Sequence, residues 1–329
     1  THALISEGVA FANLGLVVTD EQHRFGVAQR AALAAKAAVP PHVLVMSATP
    51  IPRTLSLVIY GDLEVSVVDE LPPGRSPVAT YVVGEDKRQR MYNFVRKLVG
   101  EGRQVYMVCP AVEEGEADGE EPGPGGPAAD LKAAVTYAQT LQTQVFPDLR
   151  VGLVHGKMKS KEKDAVMTAF AAGKLDVLVS TTVIEVGVDV PNAALMIVEN
   201  ADRFGLSQLH QLRGRVGRGK HQSYCVLVTS TRSQDSRERL RVLSKTNDGF
   251  KIAEEDLRLR GPGDFFGSRQ HGLPQLGIAD LAGDMRVLKE AQTAAEELLR
   301  SDPGLTLPEH AGLLGRVKRL FAEQGDVFN

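Results

Sequence analysis

The sequence predicts an α/β protein, with parallel sheets flanked by helices and a helical module at the carboxyl end. Short, near-continuous apolar runs alternate with helix-like segments, the pattern of strands buried on both faces. The strong breaker Pro72-Pro73-Gly74-Arg75 splits this alternation into a short first series and a longer second one. Beyond residue 230 the strand-like runs cease and only helical periodicity continues.

In the first series, residues 14–19 (LGLVVT) end on Asp20 and Glu21, and residues 43–46 (VLVM) end on Ser47-Ala48-Thr49-Pro50. An alanine-rich helix is expected between them, at 27–38. Two successive strands thus deliver polar side chains at their carboxyl ends, where open α/β sheets bind ligands. In the second series, strands are expected at 78–83, 105–109, 151–154, 177–180, 194–198 and 224–228, and helices at 86–100, 131–145, 161–172 and 207–217. Residues 113–130 (EEGEADGEEPGPGGPAAD) have no apolar face and are expected to form a disordered surface insert. Past residue 230, helices are expected at 233–245 and 249–259, joined by a turn at Thr246-Asn247-Asp248-Gly249. A glycine-rich loop from Arg260 to Gly277 follows, anchored by Phe265-Phe266, and then helices at 284–300 and 309–323.

Composition narrows the class. At 329 residues the chain exceeds one typical domain. No apolar run is long enough to span a bilayer. Cys109 and Cys225 sit in strand-like runs without metal-ligand spacing, so they read as buried reduced thiols in a cytoplasmic protein. The net charge of −3 does not advertise nucleic-acid binding, but an acidic run at 113–121 masks locally clustered arginines. The chain begins at Thr1 on sequence that reads as structured, so it is expected to be a piece of a longer protein.

The stretch Gln208 to His221 (QLHQLRGRVGRGKH) places Gln211, Arg213, Arg215 and Arg218 among Gly214, Gly217 and Gly219. Arg215 and Arg218 share a face if the segment is helical, and a pair of guanidinium forks can hold charge on a transferred phosphoryl group. A solvated basic helix explains the same residues equally well. Asp20-Glu21 can hold Mg²⁺ and orient an attacking water, or simply solvate a loop. Ser47 and Thr49 can bridge a nucleotide to a neighbouring surface, or cap a helix. After the 177–180 strand, Thr181 and Thr182 can touch a nucleic-acid phosphate, and Asp189 a ribose or metal shell; the Ser180–Thr182 run also fits a helix cap. His155, at another strand end, fits phosphate contact better than acid–base work.

Together these stretches resemble the motor of helicase superfamily 2. DEQH (20–23) looks like the Walker B motif and SATP (47–50) like the third helicase motif. STTVIEVGVD (180–189) looks like the fifth, QLHQLRGRVGRG (208–219) the sixth, and THALI (1–5) the end of a motif that grips single-stranded DNA. The resemblance narrows to the RecG family of bacterial branched-DNA helicases. It rests on DEQHRFGVAQR, SATPIPRTLSLVIYGDLEVSVVDELPPGR and LRLRGPGDFFGSRQHGLPQLGIADL, and runs from Thr1 to about Arg300.

This resemblance implies RecA-like sheets, one truncated and one complete, plus a carboxyl-terminal helical hairpin and loop module. Residues 1–75 would be the end of motor domain one, 76–230 motor domain two, and 231–329 the translocation motif with the last helices. ATP and Mg²⁺ are the implied cofactors. Asp20 and Glu21 would carry the metal and the water; Arg215 and Arg218 would be arginine fingers supported by Gln211. His23, Ser47, Thr49, Gly187 and Asp189 would couple nucleotide to movement, and Arg260 and Gln270 would transmit the stroke. Thr1, His2, His155, Thr181 and Thr182 would meet DNA. Implied partners are forks, Holliday junctions and single-strand DNA-binding protein, for a monomer in the bacterial cytoplasm at the nucleoid, with no membrane. No G-x-x-x-x-G-K-[ST] loop occurs in these residues, and the family's amino-terminal wedge is absent from them, so the isolated chain is expected to be inactive. Alternatives are the related transcription-repair coupling factor, whose Walker B motif typically reads DEEQ where this chain has His23, and a non-enzymatic nucleic-acid-binding module.

Overall fold

The computed structural model describes residues 2–6, 8–20, 33, 36–37, 39–47, 66, 68, 70, 75–110, 127–181, 189–260 and 285–324. The chain divides into two compact units, one of Thr1–Pro50 with Gly74–Thr231 and one of Ile51–Pro73 with Arg232–Asn329.

The first unit carries both sheets. Strands β1 (Leu16–Thr19) and β2 (His42–Val45) pair in parallel with Thr19 opposite Val45, and Met46 N donates to Thr19 O at 2.7 Å. Val17 and Thr19 are buried, whereas Leu16 and Val18 are 58% and 50% exposed. Burial on both faces, expected from the apolar runs, is therefore not met in this pair. Leu16, Val18, Val43 and Leu44 leave an apolar surface open.

The second sheet has six strands, all parallel: β3 (Ala79–Val83), β4 (Gln104–Val108), β5 (Val151–Val154), β6 (Val177–Ser180), β7 (Ala193–Val198) and β8 (Tyr224–Val228), in the order β3-β8-β7-β4-β6-β5. Every residue of the central strands β4, β6 and β7 is buried, as their Val/Leu/Ile-rich composition predicts. Each fully buried aliphatic side chain there contributes about 1.5–3 kcal/mol. Helix α1 (Arg88–Gly100) buries Met91, Val95 and Leu98, a helical spacing, in a core shared with Val105, Met107, Val177, Val179, Leu195 and Ile197.

Helix α2 (Pro127–Thr140) moves one expected boundary. Residues 127–130, which composition assigns to the insert, begin the helix. Proline suits the first helical position, and the alanines after it are strong helix formers. The rest of the insert lies outside the described residues. Past Thr140 the helix widens into a π-turn, Leu141–Val145, which buries Leu141 and leads to the buried Phe146. Helix α3 (Ser160–Ala171) and helix α4 (Leu206–Arg213) complete the unit. The expected 207–217 helix stops at Arg213, because Gly214 ends it and Gly217 takes the left-handed conformation at φ 80°.

The second unit's described elements are helices. Helix α5 (Gln234–Lys245) packs on helix α6 (Gly249–Arg260), with Leu240, Leu243, Ile252 and Ala253 buried. The expected turn between them is built by side chains: Thr246 Oγ1 accepts from Asp248 N at 3.0 Å, and Asp248 Oδ1 accepts from Phe250 N at 2.9 Å. Helices α7 (Met285–Ser301) and α8 (Ala311–Gln324) follow. Between them the buried Asp302 accepts from Thr306 N, Leu307 N and His310 Nδ1 at 3.0, 3.0 and 2.8 Å.

Candidate functional site

Parallel strands give the six-stranded sheet a carboxyl edge and an amino edge, and the candidate residues divide between them. β4 leads through α2 toward β5, while its neighbour β7 leads through α4 toward β8, so the chain leaves these adjacent strands in opposite directions. Helix α4 therefore returns its carboxyl end to the amino edge of the sheet, beside the start of β3 and the residues ahead of β7.

There the arginine-rich turn is held on several sides. Gln208 Oε1 accepts from Gly205 N at 3.1 Å and caps the start of α4. Arg213, the last helical residue, is only 3% exposed. Arg218 donates from Nε to Gly214 O at 3.2 Å and from Nη1 to Asp189 Oδ1 at 3.3 Å. A Cβ on Gly217 would stand 2.9 Å from Val78 Cγ2, and one on Gly219 2.3 Å from Pro191 O. Gly217 is thus demanded by backbone sign and close approach, and Gly219 by close approach. Arg215 and Arg218 lie past the end of the helix, so the turn, and no shared helical face, sets their relation. Gln211 and Arg215 are half-buried. The charges of Arg215, Arg218 and Asp189 reach the buried Tyr106 of β4, whose phenol is pushed up to about 12, chiefly by burial.

At the carboxyl edge, His155 follows β5 and Thr181 follows β6, and Thr181 N donates to Val154 O at 3.3 Å. Thr181 is itself buried. His155 Nδ1 is buried with no hydrogen-bond partner among the described residues. β5 and β6 have four residues each, so at ~3.3 Å per residue the two edges are roughly 13 Å apart along these strands.

In the two-stranded sheet, Asp20 and Ser47 extend from adjacent strand ends, as expected, and both are exposed. His2 lies in a short 3₁₀ turn, His2–Ile5. Thr1, Glu21, His23, Thr49, Thr182, Gly187 and Gln270 lie outside the described residues, as do the bulk of the 27–38 helix and the 261–284 segment. Arg260 closes α6, with its side chain outside the description. Among the described residues no group of three His, Cys, Asp or Glu could hold a metal.

Two features escaped the sequence reading. Arg213 points into the core; its spacing from Leu206 and Leu209, at i+7 and i+4, was the available signal. The second is a buried polar network on Glu199, just after β7. Arg88 donates to both its oxygens at 2.7 and 2.8 Å, and Tyr137 donates to Oε1 at 2.6 Å. Burial and the Glu199 charge hold the Tyr137 phenol far above its ordinary value. Residues so far apart in sequence give no local sign of this.

Comparison with known proteins extends the picture. Residues 87–220 match the family "Helicase conserved C-terminal domain", and residues 246–326 match "ATP-dependent DNA helicase RecG, domain 3, C-terminal". The chain is 57% identical over 305 residues to the ATP-dependent DNA helicase RecG of Synechocystis, aligning 93% of its own length with 35% of that protein. The RecG of Bacillus subtilis is 50% identical over 95% of this chain and 44% of its own length. This chain therefore spans well under half of these relatives. The structure of RecG bound to a three-way DNA junction superposes with a TM-score of 0.64 at 47% identity, covering 88% of this chain and 35% of that one. No helix among the described residues is long and apolar enough to cross a membrane. In sequence and in fold, the chain matches the carboxyl-terminal part of the RecG ATP-dependent DNA helicases.

Proposed function

We propose that these residues form the distal motor half and translocation module of an ATP-driven enzyme that remodels branched DNA. The observation that carries the reading is the division of the second sheet: an arginine turn clamped through Arg218 at one edge, and at the other Thr181 with His155, whose Nδ1 has no hydrogen-bond partner among the described residues. The short stretch from Thr181 to Asp189 links the two edges in sequence, so nucleotide state at one edge can be felt at the other.

In this reading Arg215 and Arg218 present fixed positive charge to the γ-phosphate, with Gln211 supporting the turn and Asp189 orienting Arg218. His155, Thr181 and Thr182 contact nucleic-acid phosphates, and Thr1 and His2 assist on the first domain. The exposed Asp20 carboxylate offers a hard oxygen beside Ser47, and with Glu21 it fits the one or two carboxylates that Mg²⁺ takes alongside nucleotide phosphates. Mg²⁺, when bound with nucleotide, neutralises charge on the β- and γ-phosphates. Glu21 orients the attacking water; His23, Ser47, Thr49 and Gly187 relay nucleotide state; Arg260 and Gln270 pass the stroke to duplex DNA. A relative, RecG, solved bound to a three-way DNA junction, supports branched DNA as the substrate class. Monomeric action at the nucleoid, with single-strand DNA-binding protein as a partner, belongs to the same proposal.

The test is Arg215→Ala in the full-length protein. Loss of DNA-stimulated ATP turnover with nearly unchanged DNA affinity supports the motor reading. Unchanged turnover with weakened, salt-sensitive binding assigns the arginines to phosphate contacts instead.

A further inference from the structure

Of Arg213, Arg215 and Arg218, the proposed chemistry uses the last two and leaves Arg213 without a task. Its guanidinium is nevertheless specifically placed. Nη1 donates to Thr80 Oγ1 on β3 at 3.5 Å, and Nη2 to His210 Nδ1, one turn earlier on α4, at 3.0 Å. Thr80 directs its own hydroxyl to Val78 O at 3.4 Å, which leaves its lone pairs to accept from Arg213. Cys225 lies close enough to feel the charge.

Burying a guanidinium is costly, and burial pulls its pKa down, yet arginine stays charged in proteins. Leu206, Leu209 and Leu212 already bury α4 against the core. Another apolar side chain would fill the space but would fix no direction. A planar fork bonded to two elements fixes how the chain leaves the helix. The far end of the turn meets the same stretch of chain, because Gly217 packs on Val78. Both ends of the arginine turn are therefore registered on Val78–Thr80.

We propose that Arg213 is a positioning residue, which anchors the end of α4 to β3 so that Arg215 and Arg218 face the nucleotide in a set geometry. This rests on the finger role proposed for Arg215 and Arg218.

The experiment is steady-state, DNA-stimulated ATP hydrolysis by the full-length protein carrying Arg213→Met, Arg213→Lys, Thr80→Val or Arg218→Ala, with thermal melting of each. Misplacing fingers by about an ångström predicts that Arg213→Met lowers kcat by about tenfold to a hundredfold. KM for ATP should stay within about threefold, since ground-state binding is untouched. Arg213→Lys should retain more activity than Arg213→Met, and Thr80→Val should lose kcat in the same direction but less. Wild-type kcat in folded Arg213→Met overturns the proposal. If that variant does not fold, wild-type kcat in Thr80→Val overturns it, and a kcat loss there at unchanged KM supports it. Full turnover in Arg218→Ala would remove the underlying finger reading, whereas an inactive Arg218→Ala beside an active Arg213→Met removes only the positioning role.

Discussion

Arg218 and Asp189 form an ion pair at 3.3 Å between two segments that the sequence separates, one following α4 and the other leading into β7. It fixes the outer arginine of the turn while leaving Asp189 more than half exposed. An exposed pair of this kind stabilises a fold by no more than about 1 kcal/mol. Its consequence is therefore geometric. Asp189→Asn should leave the melting temperature nearly unchanged while lowering DNA-stimulated ATP turnover of the full-length protein. Arg218→Ala should remove that turnover by roughly 10³–10⁵-fold, the range found for arginine fingers. Parallel calorimetry and steady-state assays check both, and a large melting shift in Asp189→Asn would refute the geometric account.

Gly219→Ala should act on the same turn through the backbone. A Cβ at 2.3 Å from Pro191 O cannot be accommodated without moving one of the two main chains. Overpacking of this kind costs about 1–3 kcal/mol. Chemical denaturation should show that loss, and turnover should fall with it. Gly312→Ala, where a Cβ meets nothing within 4 Å and the helix favours alanine, is the control that should show no loss.

Hydrogen exchange should separate the two sheets. β1 and β2 expose Leu16, Val18, Val43 and Leu44, whereas β4, β6 and β7 are buried throughout. Amides of residues 16–19 and 42–45 should exchange well before those of 104–108, 177–180 and 193–198 in this chain. Equal protection would contradict the picture of an uncovered first sheet.

Acid stability should report on Asp302. The Leu307 N–H, then His310 and Thr306, hold its carboxyl well below the ordinary value of 3.8. A depressed folded pKa contributes stability that is complete above the unfolded value and is lost as pH falls toward the folded one. Wild type should therefore lose melting temperature below about pH 4 more steeply than Asp302→Asn. Glu85, Asp148 and Asp176, held low by Arg88, Arg96 and Arg150, are common to both proteins and drop out of the comparison.

Thiol reactivity should follow burial. Cys225 is pushed up to about 12 by desolvation, against the opposing pull of Arg213. At pH 8 only about one molecule in ten thousand would carry the thiolate. In a Cys109→Ala background, a chromogenic disulfide should not react with the native chain and should react at once after unfolding.

Much of the architecture was legible because its signals are local. Apolar runs gave the eight strands to within a residue or two, the Thr246–Gly249 sequence gave its turn, and Asp20 and Ser47 fell at strand ends as read. The helix through the arginines is shorter than its sequence predicts. Periodicity runs on through RGRVGRG, but backbone sign at Gly217 and the approach of Pro191 to Gly219 stop it. Neither can be read from spacing. Residues 127–130 joined the insert because composition outweighed a proline followed by alanines.

The sequence by itself determined the family resemblance, the parallel α/β class and which side chains were worth watching, since motif spacing and hydrophobic period are properties of neighbouring residues. Tertiary structure alone decided which edge of the sheet His155, Thr181, Arg215 and Arg218 occupy, that Arg213 is buried while Arg218 is held by Asp189, and that Arg88, Tyr137 and Glu199 form one network. Those relations depend on strand order and on the direction of each crossover, which bring distant residues together only once the sheet is assembled.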